Sequence, residues 1–262
     1  MNMQGFYDKF RSNIYSQNGE DGVLDVILKE LEIEPSTSWS VDVGAYDGIS
    51  YSNVRNLIDK GANAVMIEPS IVGGICEPKF EQLKHLPETF PNVIAFNYAV
   101  IPSSYSEEEK EQSISAIENN DSDCGKQREE KLEGMEIDEI LGKTEIPEDY
   151  DILNIDTDRC DHPIWMDHKK YKPKIVIIEI ESSIPPNSAT MRDSLSNITD
   201  KQDYELEISS FSYSLSIAKE KGYSLVCHTG NMIYVRNDLV DRLSIPKELI
   251  NSAELFNKSW LL

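Results

Sequence analysis

Residues 39–68 constrain the fold of this chain more than any other stretch. Trp39-Ser40-Val41-Asp42-Val43 is a short, mostly apolar run, followed by the turn Gly44-Ala45-Tyr46-Asp47-Gly48. Ser50 to Lys60 then suits a helix closed by Gly61, and Ala64-Val65-Met66-Ile67 is a second apolar run ending in Glu68. A strand, a glycine-bearing turn, a helix and a strand ending in a carboxylate form the ligand-cradling unit of a Rossmann-like sheet.

The acids in the turn narrow the ligand. A dinucleotide turn has three glycines so that the backbone can approach an anionic pyrophosphate. Here a pyrophosphate would meet Asp42 and Asp47, and like charges disfavour that pairing. S-adenosylmethionine has no phosphate and carries a sulfonium and an ammonium, so carboxylates beside it are attractive. Gly44 would let the backbone approach such a ligand, Gly48 would relieve crowding at the helix start, and Glu68 stands where an acid could accept from ribose hydroxyls.

Composition excludes several alternatives. With Lys+Arg 25 against Asp+Glu 47, the formal charge of −22 argues against nucleic acid, whose binding depends on cations neutralising phosphates, and against an anionic membrane surface. The N-terminal residues show no basic stretch followed by an apolar one, so no signal peptide is expected. No apolar run approaches the roughly 20 residues that span a bilayer, so no membrane insertion is expected either. Cys76, Cys124, Cys160 and Cys227 are scattered without C-x-x-C pairing, which reads as four ordinary thiols in a reducing cytoplasm.

Further along, Gly19 to Leu31 has the spacing of a helical face, and Pro35 to Ser38 breaks it. Pro78 to Leu86 suits a helix and Val93 to Tyr98 a third strand. Pro102 to Glu130 is polar and acidic and reads as a solvated excursion. After a short helix at Glu136 to Leu141, Asp151 to Ile155 and Lys174 to Ile180 are continuous apolar runs, as in central parallel strands covered on both faces. A polar, lid-like stretch (182–208) precedes a helix over Ser210 to Lys221, closed by Gly222. Tyr223 to Cys227 and Met232 to Val235 then flank His228-Thr229-Gly230-Asn231 as a hairpin. The pattern describes one α/β domain over residues 1–262, with an N-terminal helical segment (1–35) and insertions at about 102–135 and 182–208.

Several motifs together resemble FkbM-type S-adenosylmethionine-dependent methyltransferases. They are Tyr15-Ser16-Gln17-Asn18-Gly19-Glu20-Asp21-Gly22, Asp42-Val43-Gly44-Ala45, Glu68-Pro69, Asn97-Tyr98-Ala99-Val100, Asp151 to Asp158, and Gly222-Tyr223-Ser224-Leu225-Val226. Their order matches, and they cover most of the chain. The resemblance implies a class I methyltransferase fold: a seven-stranded, mostly parallel sheet with an antiparallel C-terminal hairpin and helices on both faces. It also implies O-methylation of a small acceptor, such as a sugar or a phosphorylated or nucleotide-linked precursor of a bacterial surface glycan or capsule. Carried over residue by residue, it assigns Gln17, Glu20, Asp21, Asp42, Gly44, Ala45, Glu68, Asn97 and Asp156 to the cofactor. Arg159 departs from the family pattern, which often has glycine there. A competing reading of the N-terminal motif is helix capping, with Asn18 as N-cap and Asp21 three residues on.

The reacting centre is expected beyond the carboxyl ends of the fourth and fifth strands. A general base there would be His162, Asp156 or Asp158. Alternatively, Asp156, Asp158 and Glu179 or Glu181, with His162 for manganese, would hold a divalent ion, magnesium or manganese, that lowers the acceptor's pKa. Asp161 also reads as an N-cap ahead of Pro163. His85 and His168 read as surface histidines, and His228 as a residue at the mouth of the site. Arg159 and Arg192 would suit an anionic acceptor. Two other functions stay open at this stage: an NAD-dependent oxidoreductase, and a methyltransferase-like module that binds without catalysis.

Overall fold

The computed structural model describes residues 5–72, 79–158, 160–184, 186 and 209–256. Seven strands form one sheet: β1 (Trp39–Val43), β2 (Asn63–Ile67), β3 (Val93–Phe96), β6 (Ile152–Ile155), β7 (Ile175–Glu179), β8 (Tyr223–His228) and β9 (Asn231–Arg236). Their spatial order is β3-β2-β1-β6-β7-β9-β8. The first five pair in parallel, while β9 runs antiparallel to both β7 and β8. This is the mostly parallel sheet with an antiparallel terminal hairpin that the resemblance implied.

The central strands are buried along their length, β6 at all of Ile152 to Ile155 and β7 from Ile175 to Ile178. Strands covered on both faces need no alternation, which is why their sequences run apolar without a break. The helices around the sheet are α1 (Glu20–Glu30), α2 (Arg55–Asp59), α3 (Lys79–Leu83), α4 (Leu86–Thr89), α5 (Glu107–Asp123), α6 (Ile137–Leu141), α7 (Asp161–Asp167) and α8 (Phe211–Lys221). At the start of α8, Ser210 accepts the Tyr213 N–H, and at its end Gly222 takes φ 81°, a left-handed C-cap that glycine adopts without strain. No helix among the described residues is long and apolar enough to cross a membrane.

Three expectations are corrected here. The acidic stretch after β3 is not a bare solvated excursion. Ser106 caps α5 through a reciprocal capping box with Glu109, and the 17-residue helix sits between two short strands, β4 (Ala99–Val100) and β5 (Gly134–Met135), that pair with each other. Ile114, Ile117 and Tyr105 pack there on Ala99, Ile101 and Leu132 as a small separate core. Few large apolar residues in a long polar sequence gave too weak a helical period to see. Second, Cys124 is disulfide-bonded, whereas Cys160 and Cys227 are free and buried, so the four-thiol reading does not hold. Third, the helix expected from Ser50 shortens to α2, because residues 47–50 form a turn held by Asp47. Its carboxylate accepts from the Ile49 and Ser50 N–H groups and the Ser50 hydroxyl.

Candidate active site at the carboxyl edge of the sheet

The turn after β1 is built on Gly44, whose φ is +82°. Its N–H and that of Ala45 both donate to the Ile67 carbonyl, at 2.9 and 3.1 Å, so the turn folds back over β2. A β-carbon on Gly44 would lie 1.7 Å from the Asp156 carbonyl oxygen. The backbone that approaches Gly44 is therefore the turn after β6. Asp156 in turn donates its N–H to the Val43 carbonyl at 2.9 Å.

Asp42 and Glu68 are both buried, and their partners differ. Asp42 accepts from the Asn154 amide at 2.8 Å and from the Ser52 hydroxyl at 3.2 Å. Asn154 also accepts from Asn53 at 2.9 Å. These bonds tie the chain leading into α2 to two neighbouring strands, since Asp42 and Asn154 are register partners. Desolvation pushes the Asp42 carboxyl up to about 6. Glu68 accepts the Tyr46 N–H and the Ser70 N–H, each at 2.9 Å. It bridges the first and second strand-end turns, and burial raises it to about 7. A carboxylate has about four acceptor positions, so both oxygens keep capacity for a ligand hydroxyl.

At the ends of β6 and β7 three acids converge. Asp156, Asp158 and Glu179 each offer an oxygen, and these oxygens lie within 4.8 Å of one another. Asp156 and Glu179 are both pushed up by burial and then by neighbouring acids, Glu179 to about 7. Two carboxyls this close disfavour being charged together. Glu179 Oε2 is buried without a hydrogen-bond partner among the described residues. Asp158 is exposed and has φ 61°. Glu181 lies outside the trio and accepts the N–H of Ser183 instead.

The flanking candidates have other occupations. Asp161 is the first residue of α7, not its N-cap, which is Cys160. Its carboxylate reaches back to the N–H and hydroxyl of Thr157, at 2.7 and 2.6 Å, and so fixes the turn that carries Asp156 and Asp158. His162 is 1% exposed. Its ring lies against Tyr213, its Nε2 has no partner among the described residues, and desolvation lowers it to about 3. His168 is corrected from surface to core: it joins Asp138 (2.5 Å) to the Tyr150 hydroxyl (2.9 Å). His85 is exposed beside Glu88, as expected. His228 is buried, stacked on Phe256, with the Ser182 hydroxyl 3.0 Å from Nε2. Arg159, Arg192 and nearly all of the lid-like stretch lie outside the described residues.

The N-terminal motif reaches the same edge. One Glu20 oxygen accepts from the Asn18 N–H and the other from the Thr229 hydroxyl, at 2.8 and 2.6 Å, which ties α1 to the hairpin tip. Asp21 Oδ2 accepts from the N–H groups of Ile14, Tyr15 and Ser16 and from the Ser16 hydroxyl, each at 2.8 Å. The N-cap is Gly19 rather than Asn18. Gln17 is exposed, and its carbonyl accepts from Asn13. Ala45 is buried in the core. Asn97 stands apart, accepting from Arg128 at 3.3 Å in a cavity of about 710 Å³ beside the α5 insertion.

Sequence reasoning missed Asn154, Ser52, Thr157 and Thr229. Asn154 and Thr229 act on residues that only the sheet or the hairpin brings near, and Ser52 on one ten residues back across the turn; Thr157 meets Asp161 four residues on, a local turn contact that its spacing could have marked.

No family model and no curated protein matches the chain. Among solved structures it is similar to a protein provisionally named a hemolysin from Lactococcus lactis, at 14% identity over 84% of this chain and 88% of that one, with a TM-score of 0.39. It is also similar to methyltransferase FkbM from Methylobacillus flagellatus KT, at 13% identity over 87% of this chain and 56% of that one, TM-score 0.41. The mitomycin 7-O-methyltransferase MmcR gives 14% over 82% and 54%, TM-score 0.33. The chain spans little more than half the length of the last two. Likenesses this loose carry no further argument.

Proposed function

We propose that this protein is an S-adenosylmethionine-dependent O-methyltransferase acting on a small polar acceptor. The observation that carries the reading is the acidic carboxyl edge of the sheet: Glu68 at the end of β2, and Asp156, Asp158 and Glu179 at the ends of β6 and β7. An edge of this kind attracts a cationic ligand and repels a pyrophosphate. The sequence resemblance to FkbM-type enzymes points the same way, and to a hydroxylated, sugar-like acceptor.

In this reading Glu68 accepts the ribose hydroxyls while keeping its bonds to Tyr46 and Ser70. The cofactor supplies a methyl group on a sulfonium, and the protein must hold the acceptor oxygen in line with it. The Asp156–Glu179 pair accepts the acceptor's proton, since Glu179 has the near-neutral basicity that general-base work favours. His162, buried and lowered to about 3, is a poor base and packs the site instead. Calorimetry should show S-adenosylhomocysteine binding and no NAD binding. Replacing Glu68 by Ala should weaken it about tenfold or more, given roughly 1.5–3 kcal/mol for a hydrogen bond to a charged group. Glu68→Gln, which keeps an acceptor for the turn, should fold normally and show a smaller loss. Tight NAD binding without S-adenosylhomocysteine binding would sink the proposal.

A divalent ion is a second component that one observation favours. The three clustered oxygens, with Glu179 Oε2 unpartnered, are hard donors of the kind magnesium and manganese take. A bound ion would acidify and orient the acceptor hydroxyl. Substituting Asp158→Asn removes a charged ligand while tolerating the left-handed backbone. Manganese affinity measured by electron paramagnetic resonance should fall about tenfold or more, with S-adenosylhomocysteine affinity little changed. Turnover that survives exhaustive chelation would remove the ion from the mechanism.

A further inference from the structure

The opposite edge of the sheet carries a second cavity, of about 730 Å³, within the range of small-molecule sites. Its walls come from the residues leading into β6 and β7, the start of β8 and the end of β9. Strands of four and five residues separate it from the acidic cluster, a distance of roughly 15 Å.

Its charge runs against the rest of the molecule. Lys169, Lys170, Lys172, Lys221 and Arg236 line it against only Glu148, Asp149 and Asp238, in a chain of formal charge −22. Arg236 is engaged by Asp149 and Asp238, at 2.6 and 2.7 Å. The exposed Lys170 and Lys172 have no acidic partner among the described ion pairs, which leaves surplus positive charge at the mouth. Lys221 donates to the His168 carbonyl at 2.9 Å, and burial lowers it to about 8.

The inner wall is aromatic. Trp165, which is 0% exposed, lines the cavity with His168, Tyr171 and Tyr223. His168 and Tyr171 stack at 5.9 Å, and the Tyr223 hydroxyl donates to the Pro173 carbonyl. The Trp165 indole N–H has no acceptor among the described residues. A buried donor without a partner costs about 1–3 kcal/mol.

We propose that this cavity binds a phosphate-bearing small molecule, at a site separate from the proposed methyl-transfer centre. The lysine ammonium groups at the mouth donate to phosphate oxygens, and the aromatic wall accommodates an apolar remainder. A recess of this volume suits a small ligand better than a polyanionic surface such as nucleic acid.

The test is calorimetric titration of the full-length protein with inorganic pyrophosphate, with and without saturating S-adenosylhomocysteine. Saturable binding is expected, unaltered by S-adenosylhomocysteine. In the double variant Lys170→Ala/Lys172→Ala it should weaken about tenfold or more. A control, Lys247→Ala at an exposed pair with Asp241, should bind as the unaltered protein does. Absence of saturable binding, competition with S-adenosylhomocysteine, or equal weakening in the control each overturns the proposal. None of these outcomes depends on whether methyl transfer is the protein's activity.

Discussion

Replacing Gly44 by alanine should lower the melting temperature by roughly 5 °C or more and abolish binding of S-adenosylhomocysteine, because both strain and a clash oppose it. At φ +82° a β-carbon costs about 1–2 kcal/mol in the left-handed region. The larger effect is steric: that carbon would sit 1.7 Å from the Asp156 carbonyl, so one of the two turns must move. The turn after β6 carries Asp156 and Asp158, and displacing it separates the acids from Glu179. Thermal melting followed by fluorescence, together with calorimetry, checks both parts. Gly222→Ala is the comparison. Its φ is similar, at 81°, yet nothing lies within 4 Å of the added carbon, so only the strain should appear. Equal effects at the two positions would refute the close-approach argument.

Raising the pH from about 6.5 to 8 should destabilise the protein. Burial lifts Asp42 and Asp161 to about 6 and Glu68 and Glu179 to about 7. An acid whose folded pKa lies above its unfolded value favours folding through its protonated form. That contribution is complete below the unfolded value, near 4, and is lost as the pH climbs through 6 and 7. For Glu68 alone, a rise from 4.5 to about 7 corresponds to on the order of 3 kcal/mol. Asp138, Asp167 and Asp238 have lowered values, so they are ionised throughout this window and contribute no opposing slope. The buried His162 and His228, lowered to about 3, and His168, also lowered, do oppose it below about pH 6.5, where the unfolded chain takes up protons that the folded one does not. Denaturant melts across the range should show stability falling with pH, and Glu68→Gln should flatten the curve. A flat or rising profile above about pH 6.5 in the unaltered protein would show that these acids are not buried in their protonated form.

The strands and the hairpin were legible because their signals are local. Trp39–Val43 has the bounds expected of it. The runs in β6 and β7 are apolar enough that no other element explains them, and the polar tip from His228 to Asn231 between two apolar runs marks a hairpin. The insertion was not legible, since α5 has only a thin apolar stripe and gains its cover from β4 and β5. His168 was misplaced for a related reason. It stands beside two lysines, and only the fold brings Asp138 and Tyr150 to its two nitrogens.

The candidate site divides in the same way. Residue type and position relative to strand ends pointed to Asp42, Glu68, Asp156, Asp158 and Glu179, because ligands in open α/β sheets bind where strands end. Their division of labour depends on packing. Asp42 is engaged by Asn154 and Ser52, Glu68 bridges two turns, and Glu181 falls outside the trio it was expected to join.

By itself, the sequence determined the Rossmann-like sheet, the glycine turn after β1 and the acids at the strand ends, all set by short-range periodicity and turn chemistry. Tertiary structure decided the rest. The raised acids Asp156 and Glu179, the weak basicity of His162 and the cationic cavity at the far edge arise from burial and from proximity across the sheet. Neither exists until segments from about twenty to ninety residues apart are packed together.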